Sequence, residues 1–192
     1  MCSSDLVGIE RANIVIDNLP KSTIWNGENA ASARRLYGEA VTLRALFYYT
    51  LIHIWGDVPF YTSSTQGDSE FYIPKTDRDS IYEYIMKDLK DIEDYVPWMD
   101  VTNTAERINK GFVKGLRARM ALSYAGYSLR NKTHETRRGR KWQEYFQIAN
   151  QECKELMESG KHKINPSFEN LFRGYCSYVQ DMTYKESLFE VA

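Results

Sequence analysis

Gly38-Glu39-Ala40-Val41-Thr42-Leu43-Arg44-Ala45-Leu46-Phe47-Tyr48-Tyr49-Thr50-Leu51-Ile52-His53-Ile54-Trp55-Gly56-Asp57-Val58-Pro59 decides how this chain folds. Leu36, Ala40, Leu43, Phe47, Leu51 and Ile54 recur at helical spacing, and Tyr37, Val41, Arg44, Tyr48, Ile52 and Trp55 form a second stripe beside them. A helix apolar over so wide an arc is expected to be surrounded by others. From Leu36 onward at ~1.5 Å per residue, with its approach, it would run roughly 40 Å. This is the expected central beam, closed by Gly56 and Pro59.

Outward from the beam, helices come before and after. Leu6, Ile9, Ile14, Ile16 and Leu19 precede Pro20 and predict a first helix, with an Asn26-Gly27 turn before the beam. Residues 56–78 have the Gly, Pro and Ser content of a surface loop. Asp77 or Asp79 is placed to cap a helix carrying Ile81, Ile85, Leu89, Ile92 and Val96, stopped at Pro97, with Lys87, Asp88, Lys90, Asp91, Glu93 and Asp94 as its solvated face. Asn109 opens another helix. One side is bulky, with Val113, Leu116, Met120, Tyr124 and Tyr127. The other is mostly small, with Gly111, Gly115, Ala118, Leu122 and Ala125, which suits close approach of a neighbouring helix. After a basic loop from Arg130 to Lys141, Trp142, Phe146, Ala149, Cys153 and Leu156 stripe a last long helix ending at Gly160, which places Cys153 in the core. A short amphipathic piece, Phe168 to Phe172, and a strand-like alternation, Ser187 to Val191, complete the pattern.

The 192 residues, 43% hydrophobic, suit one domain. The 25 Lys and Arg against 26 Asp and Glu leave no positive excess to attract nucleic acid or an anionic membrane surface. No window approaches the ~18 to 20 apolar residues of a membrane span, and no signal-peptide pattern opens the chain. Cys2, Cys153 and Cys176 lack metal-site or disulfide-framework spacing, and His53, His134 and His162 are scattered, so no metal or other cofactor is expected. Nucleotide-binding and hydrolase signatures are absent. Glu39 and Asp57 are the best pair for glycosidase chemistry, which needs carboxyls ~5 to 10 Å apart. The stronger reading is that Glu39, Arg44 and Asp57 neutralise one another at the edge of the core, with His53 a hydrogen-bonded core histidine, so no enzyme is expected.

Gly8-Ile9-x-Arg11-Ala12-Asn13, Gly38-Glu39-Ala40-x-x-Leu43-Arg44-Ala45-x-x-Tyr48 and Trp55-Gly56-Asp57-Val58-Pro59 resemble, in this order, the SusD/RagB family. Asn109-Lys110-Gly111, Ala118-Arg119-Met120-Ala121-Leu122, Trp142 with Ala149, Ser159-Gly160 and Glu186-Ser187-Leu188-Phe189-Glu190-Val191 look like its later landmarks. The resemblance implies a mainly α fold of tetratricopeptide-like helical hairpins over residues 1–192, one domain truncated at both ends, with a short strand-like segment near the C-terminal end. The helices from Asn109 and Trp142 would form one such hairpin.

The resemblance also implies function. It implies a non-catalytic protein on the outward-facing surface of the outer membrane that binds oligosaccharides, or peptides as in the RagB branch, and delivers them to a SusC-like TonB-dependent transporter. Membrane association would come only through a lipid anchor upstream. Cys2-Ser3-Ser4-Asp5 has the look of a mature lipoprotein terminus, but the apolar signal lipidation needs is missing before it, so Cys2 is read as coincidence. Trp25 and Asn26, an expected exposed ring beside an amide, are the first candidates for ligand contact, with Phe71 and Tyr72 as seconds. The alternative is a helical scaffold that docks proteins and touches no small ligand.

Overall fold

The structure is a computed structural model that describes residues 2–65 and 73–191, with side chains from residue 4 onward. The first helix, α1 (Cys2–Asn18), ends where expected before Pro20, and two short 3-10 turns, Leu19–Lys21 and Thr23–Trp25, lead to the beam α2 (Ala30–Trp55). Val41, Ala45, Tyr48, Leu51 and Ile52 of α2 are buried. α1 packs along one side of α2, and α3 (Arg78–Asp91) packs on the other, where α5 (Lys110–Ala125) also reaches it. α6 (Trp142–Glu158) packs on α5, giving the expected hairpin, while α4 (Met99–Thr102) and α7 (Phe168–Cys176) are short. Mainly helical architecture is thus the outcome. The beam is less enclosed than its composition suggested: Leu36, Ile54 and Trp55 are exposed, since α1 covers only part of that arc.

Caps and close approaches explain the element ends. The Asp77 carboxylate accepts from Asp79 N at 2.9 Å and starts α3, and Asn109 Oδ1 accepts from Phe112 N at 3.1 Å and starts α5. Ile81, Ile85 and Leu89 are buried as predicted, but α3 ends at Asp91 and turns carry Ile92 and Val96 into the core ahead of Pro97. A Cβ on Gly38 would lie 2.6 Å from Val96 Cγ2, so this glycine lets the turn after α3 sit on the beam. At Gly111 and Gly115 the small face of α5 receives a chain segment: Cβ atoms there would collide with His162 and with Leu188. Gly160, at φ +64°, takes the left-handed conformation just past α6.

Two small antiparallel hairpins interrupt the helices. β1 (Val58–Pro59) pairs with β2 (Lys75–Thr76), and β3 (Tyr127–Leu129) with β4 (Thr136–Arg138). The region read as a basic loop is therefore partly a ladder, and Tyr127, expected on α5, belongs to β3 and is exposed because the helix ends at Ala125. The start of the loop after α2 is laced down: Tyr61 N donates to Tyr48 Oη at 2.7 Å, and Ser64 N to Asp17 Oδ2 at 2.6 Å.

On α6 the buried face is Tyr145, Ala149 and Glu152: Ala149 of the predicted stripe is buried, but Tyr145 and Glu152 replace Phe146 and Cys153 one position on, and Cys153 is exposed. Two contacts set that rotation. Tyr145 stacks on Tyr124 at 3.9 Å between ring centroids, and Glu152 turns inward to Lys114 at 3.2 Å and to Arg117. At the C-terminal end, Ser187–Val191 finds no ladder partner among the described residues. It is pinned by Asn109 Nδ2 donating to Leu188 O at 2.8 Å and by Phe189 packing on Phe112 at 4.7 Å.

Candidate functional site

Charge placement decides first what the chain can do chemically. Arg44, buried on the beam, donates to Asn13 Oδ1 (2.9 Å), Thr62 O (3.0 Å) and Asp88 Oδ2 (2.7 Å), joining α1, α2, the loop after α2 and α3. Glu39 accepts instead from Arg107 at 3.1 and 3.0 Å, with Arg35 3.7 Å away. Asp57 accepts from Arg78 N at 3.0 Å. The expected mutual neutralisation of Glu39, Arg44 and Asp57 is therefore corrected: each has its own partner. Glu39 and the helix exit at Asp57 are separated by roughly 24 Å of helix at ~1.5 Å per residue, far beyond the spacing of a glycosidase pair. His53, read as a core histidine, is exposed. Its place in the last turn of α2 faces away from the core.

Asp88 belonged to a face read as solvated. It is held by Arg44, and burial pushes its carboxyl up against the pull of that guanidinium. Lys114 is likewise enclosed, within hydrogen-bonding reach of Glu93, Glu152 and Glu155. Among the described residues no group of three or more His, Cys, Asp or Glu is arranged to hold a metal ion, and no helix is long and apolar enough to cross a membrane.

Trp25 and Asn26 lie at the N-terminal end of the beam. The second 3-10 turn sets Trp25 edge-on to Tyr37 of α2 at 5.4 Å and to Tyr95, from the turn after α3, at 6.3 Å. Tyr37 and Tyr95 meet at 6.3 Å, closing a three-ring cluster, and the Arg34 guanidinium stands 5.9 Å over Trp25. Trp25 is consequently half-buried and not the exposed ring expected, while Asn26 is exposed beside it. Burial raises the Tyr37 hydroxyl, keeping it protonated and able to donate. A small cleft of about 160 Å³ opens between Tyr37, Asp88, Asp91 and Tyr95. An aromatic cluster edged with amide, hydroxyl and carboxylate groups suits stacking and hydrogen bonding. Sequence reasoning placed Tyr37 on the beam and did not single out Tyr95, because a ring's neighbours across elements leave no periodic signal. Phe71 and Tyr72 lie outside the described residues.

Fold and site together define a class, a helical-hairpin scaffold presenting aromatic surfaces while its buried charges are tied to structural partners. The SusD-like family model described as "Starch-binding associating with outer membrane" matches residues 4–122, and the chain belongs to that family. It is 31% identical over 85 residues to the SusD-like protein P25 of Formosa agariphila, covering 43% of this chain and 15% of that protein. Its fold is similar to the SusD homolog of Bacteroides thetaiotaomicron, with TM-score 0.76 and 25% identity over 94% of this chain and 33% of that one. It is also similar to a laminarin-binding SusD-like protein, with TM-score 0.56 and 26% identity over 64% of this chain and 26% of that one. The chain thus spans a third or less of the length of these relatives.

Proposed function

We propose that this chain is part of a non-catalytic carbohydrate-binding protein at the outward-facing surface of the outer membrane, anchored by lipid attached upstream, which hands oligosaccharides to a SusC-like TonB-dependent transporter. The observation that carries the reading is the Trp25–Tyr37–Tyr95 cluster with Asn26 at its edge, in a chain of this family. Sugar rings stack on aromatic faces while amide and hydroxyl groups take up their hydroxyls. Phe71 and Tyr72 are proposed as further contacts. Membership of the family and the likeness to a laminarin-binding relative support a glycan as ligand.

Calorimetry of the intact protein against a panel of neutral oligosaccharides that includes laminari-oligosaccharides tests this. The wild type binds one of them, and Trp25→Ala weakens the affinity by about tenfold, the size of one lost aromatic contact. Unchanged affinity in the variant rejects the site, and shortening of an oligosaccharide by the protein rejects the non-catalytic role. A second reading, protein or peptide docking, rests on the apolar groove of about 510 Å³ between α1 and α2, lined by Val15, Leu36, Leu43 and Phe47. Absence of heat with every glycan favours it.

A further inference from the structure

At the opposite end of α2 the chain builds a second cavity, of about 550 Å³, between the helix exit, the start of α3 and the β3–β4 hairpin. Trp55, the last residue of α2, is 59% exposed, and Tyr127 of β3 is 68% exposed. Both line this cavity. Large aromatics left in solvent beside a concavity are what a stacking site requires and what a packed core avoids. The exit is shaped for it. Gly56, at φ +75°, turns the chain sharply away from the indole, and Asn131 Nδ2 donates to Trp55 O at 3.5 Å, fastening the hairpin connection over the helix end. A side chain at Gly56 would press on Asn131, its Cβ 3.0 Å from Oδ1.

The charge here differs from that at Trp25. The cavity is lined by Arg78 and His53 and by no carboxylate among the described residues, in a chain whose net charge is only −1. The hairpin arm from Arg130 to Lys141 carries six Lys or Arg and a single carboxylate, Glu135. Most of those cations are engaged, Arg130 by Asp79 and Arg140 and Lys141 by Glu83. Arg138 instead lies 4.7 Å over the Tyr127 ring and 4.7 Å over Trp142. Neither Arg78 nor Arg138 has an ion-pair partner among the described residues. Arg138 lies outside the cavity lining, whereas Arg78 lines it, 6.0 Å from the buried Tyr82 ring, and is a guanidinium placed to receive an anion on a ring stacked at Trp55.

We propose that this cavity is a second oligosaccharide subsite, separate from Trp25, which takes an acidic sugar. One ring stacks on Trp55, with Tyr127 at the edge of the same cavity, and its carboxylate or sulfate is received by Arg78. The proposal rests on the glycan-binding reading above and adds a ligand class and a location. Tyr37, on which Trp25 packs, and Trp55 are separated by about 27 Å of α2 at ~1.5 Å per residue, so the two sites bind independently.

Calorimetry of the intact protein uses an oligogalacturonide as the carboxylate probe, a carrageenan oligosaccharide as the sulfate probe and a laminari-oligosaccharide as the neutral one. At least one acidic probe binds, more weakly as salt is raised. Trp55→Ala and Arg78→Gln each reduce that affinity by about tenfold, whereas Trp25→Ala leaves it within about twofold. Which acidic probe binds tells carboxylate from sulfate recognition. Circular dichroism checks that the variants fold, and Tyr127→Ser supplies a second exposed substitution on the same cavity. The proposal is overturned if neither acidic probe binds, if the neutral probe binds this site equally well, or if the Trp55 and Arg78 variants bind as the wild type does. Laminari-oligosaccharide binding lost only in Trp25→Ala, with no acidic binding, sustains the first reading and rejects this one.

Discussion

Replacing Arg44 with Met keeps the length of the side chain and removes the charge that ties four segments together. Its guanidinium is almost fully enclosed, at 4% exposure, and Asp88 retains 23%. Hydrogen bonds to charged groups contribute ~1.5–3 kcal/mol each, and removing one partner of a buried pair costs ~3–5 kcal/mol because the other charge stays behind. Water can still reach Asp88, so the lower end applies, about 3 kcal/mol. With a urea m-value of ~2 kcal/mol/M, the unfolding midpoint falls by about 1.5 M, read by the fluorescence of the tryptophans. Asp88→Asn in the same background recovers about 2 kcal/mol of that cost, the coupling a double-mutant cycle isolates.

The sign of the pH dependence adds a second check. Burial already raises the Asp88 carboxyl, and without Arg44 it rises further. An acid whose folded pKa lies above the unfolded one contributes stability at low pH that is lost as pH rises through the folded value. Arg44→Met is therefore less costly near pH 5 than near pH 8. A midpoint within about 0.3 M of wild type, or additive single and double variants, would refute the view of Arg44 as the chain's central tie.

Two further outcomes are expected. Asn109 both caps α5 and holds Leu188 O and Arg107 O, so Asn109→Ala lowers stability by about 1–2 kcal/mol, while Asn109→Ser keeps a capping oxygen and loses the two carbonyl contacts; equal melting temperatures for the two would show that the cap contributes nothing. Hydrogen bonding to Lys114, helped by Gln151, holds Glu155 down from its ordinary 4.5 to about 2, so its contribution is complete above about pH 4.5 and is lost as pH falls toward 2. Urea midpoints measured down that range decline in the wild type and decline less in Glu155→Gln, and identical slopes would remove Glu155 from the account.

The helices were legible because each is written in a short window. Periodic apolar positions, Pro20, Asn109 and Gly160 specify where α1, α5 and α6 start or stop with no knowledge of what lies beside them. The family series was legible for a related reason: Gly38, Arg44, Tyr48 and Asn13 are structural ties. A beam passed by a close turn at Val96 needs Gly38, and a buried guanidinium needs Asn13 opposite it. The same pattern could not say which ring stays in solvent. Trp25 was expected to be open and is half-packed by Tyr37 and Tyr95, whereas Trp55 sat on a core stripe and is exposed.

Cys153 shows the limit most clearly. Periodicity predicts that α6 buries its most apolar face, but the rotation was set by Tyr145 stacking on Tyr124 and by Glu152 reaching Lys114 and Arg117. Local sequence by itself determined the helices, the starts of α3 and α5 and the family, because propensity and capping act within a few residues. Tertiary structure alone decided the rotation of each helix, the partners of each buried charge and which aromatic rings gather or stay exposed along α2, because those depend on atoms brought together from distant parts of the chain.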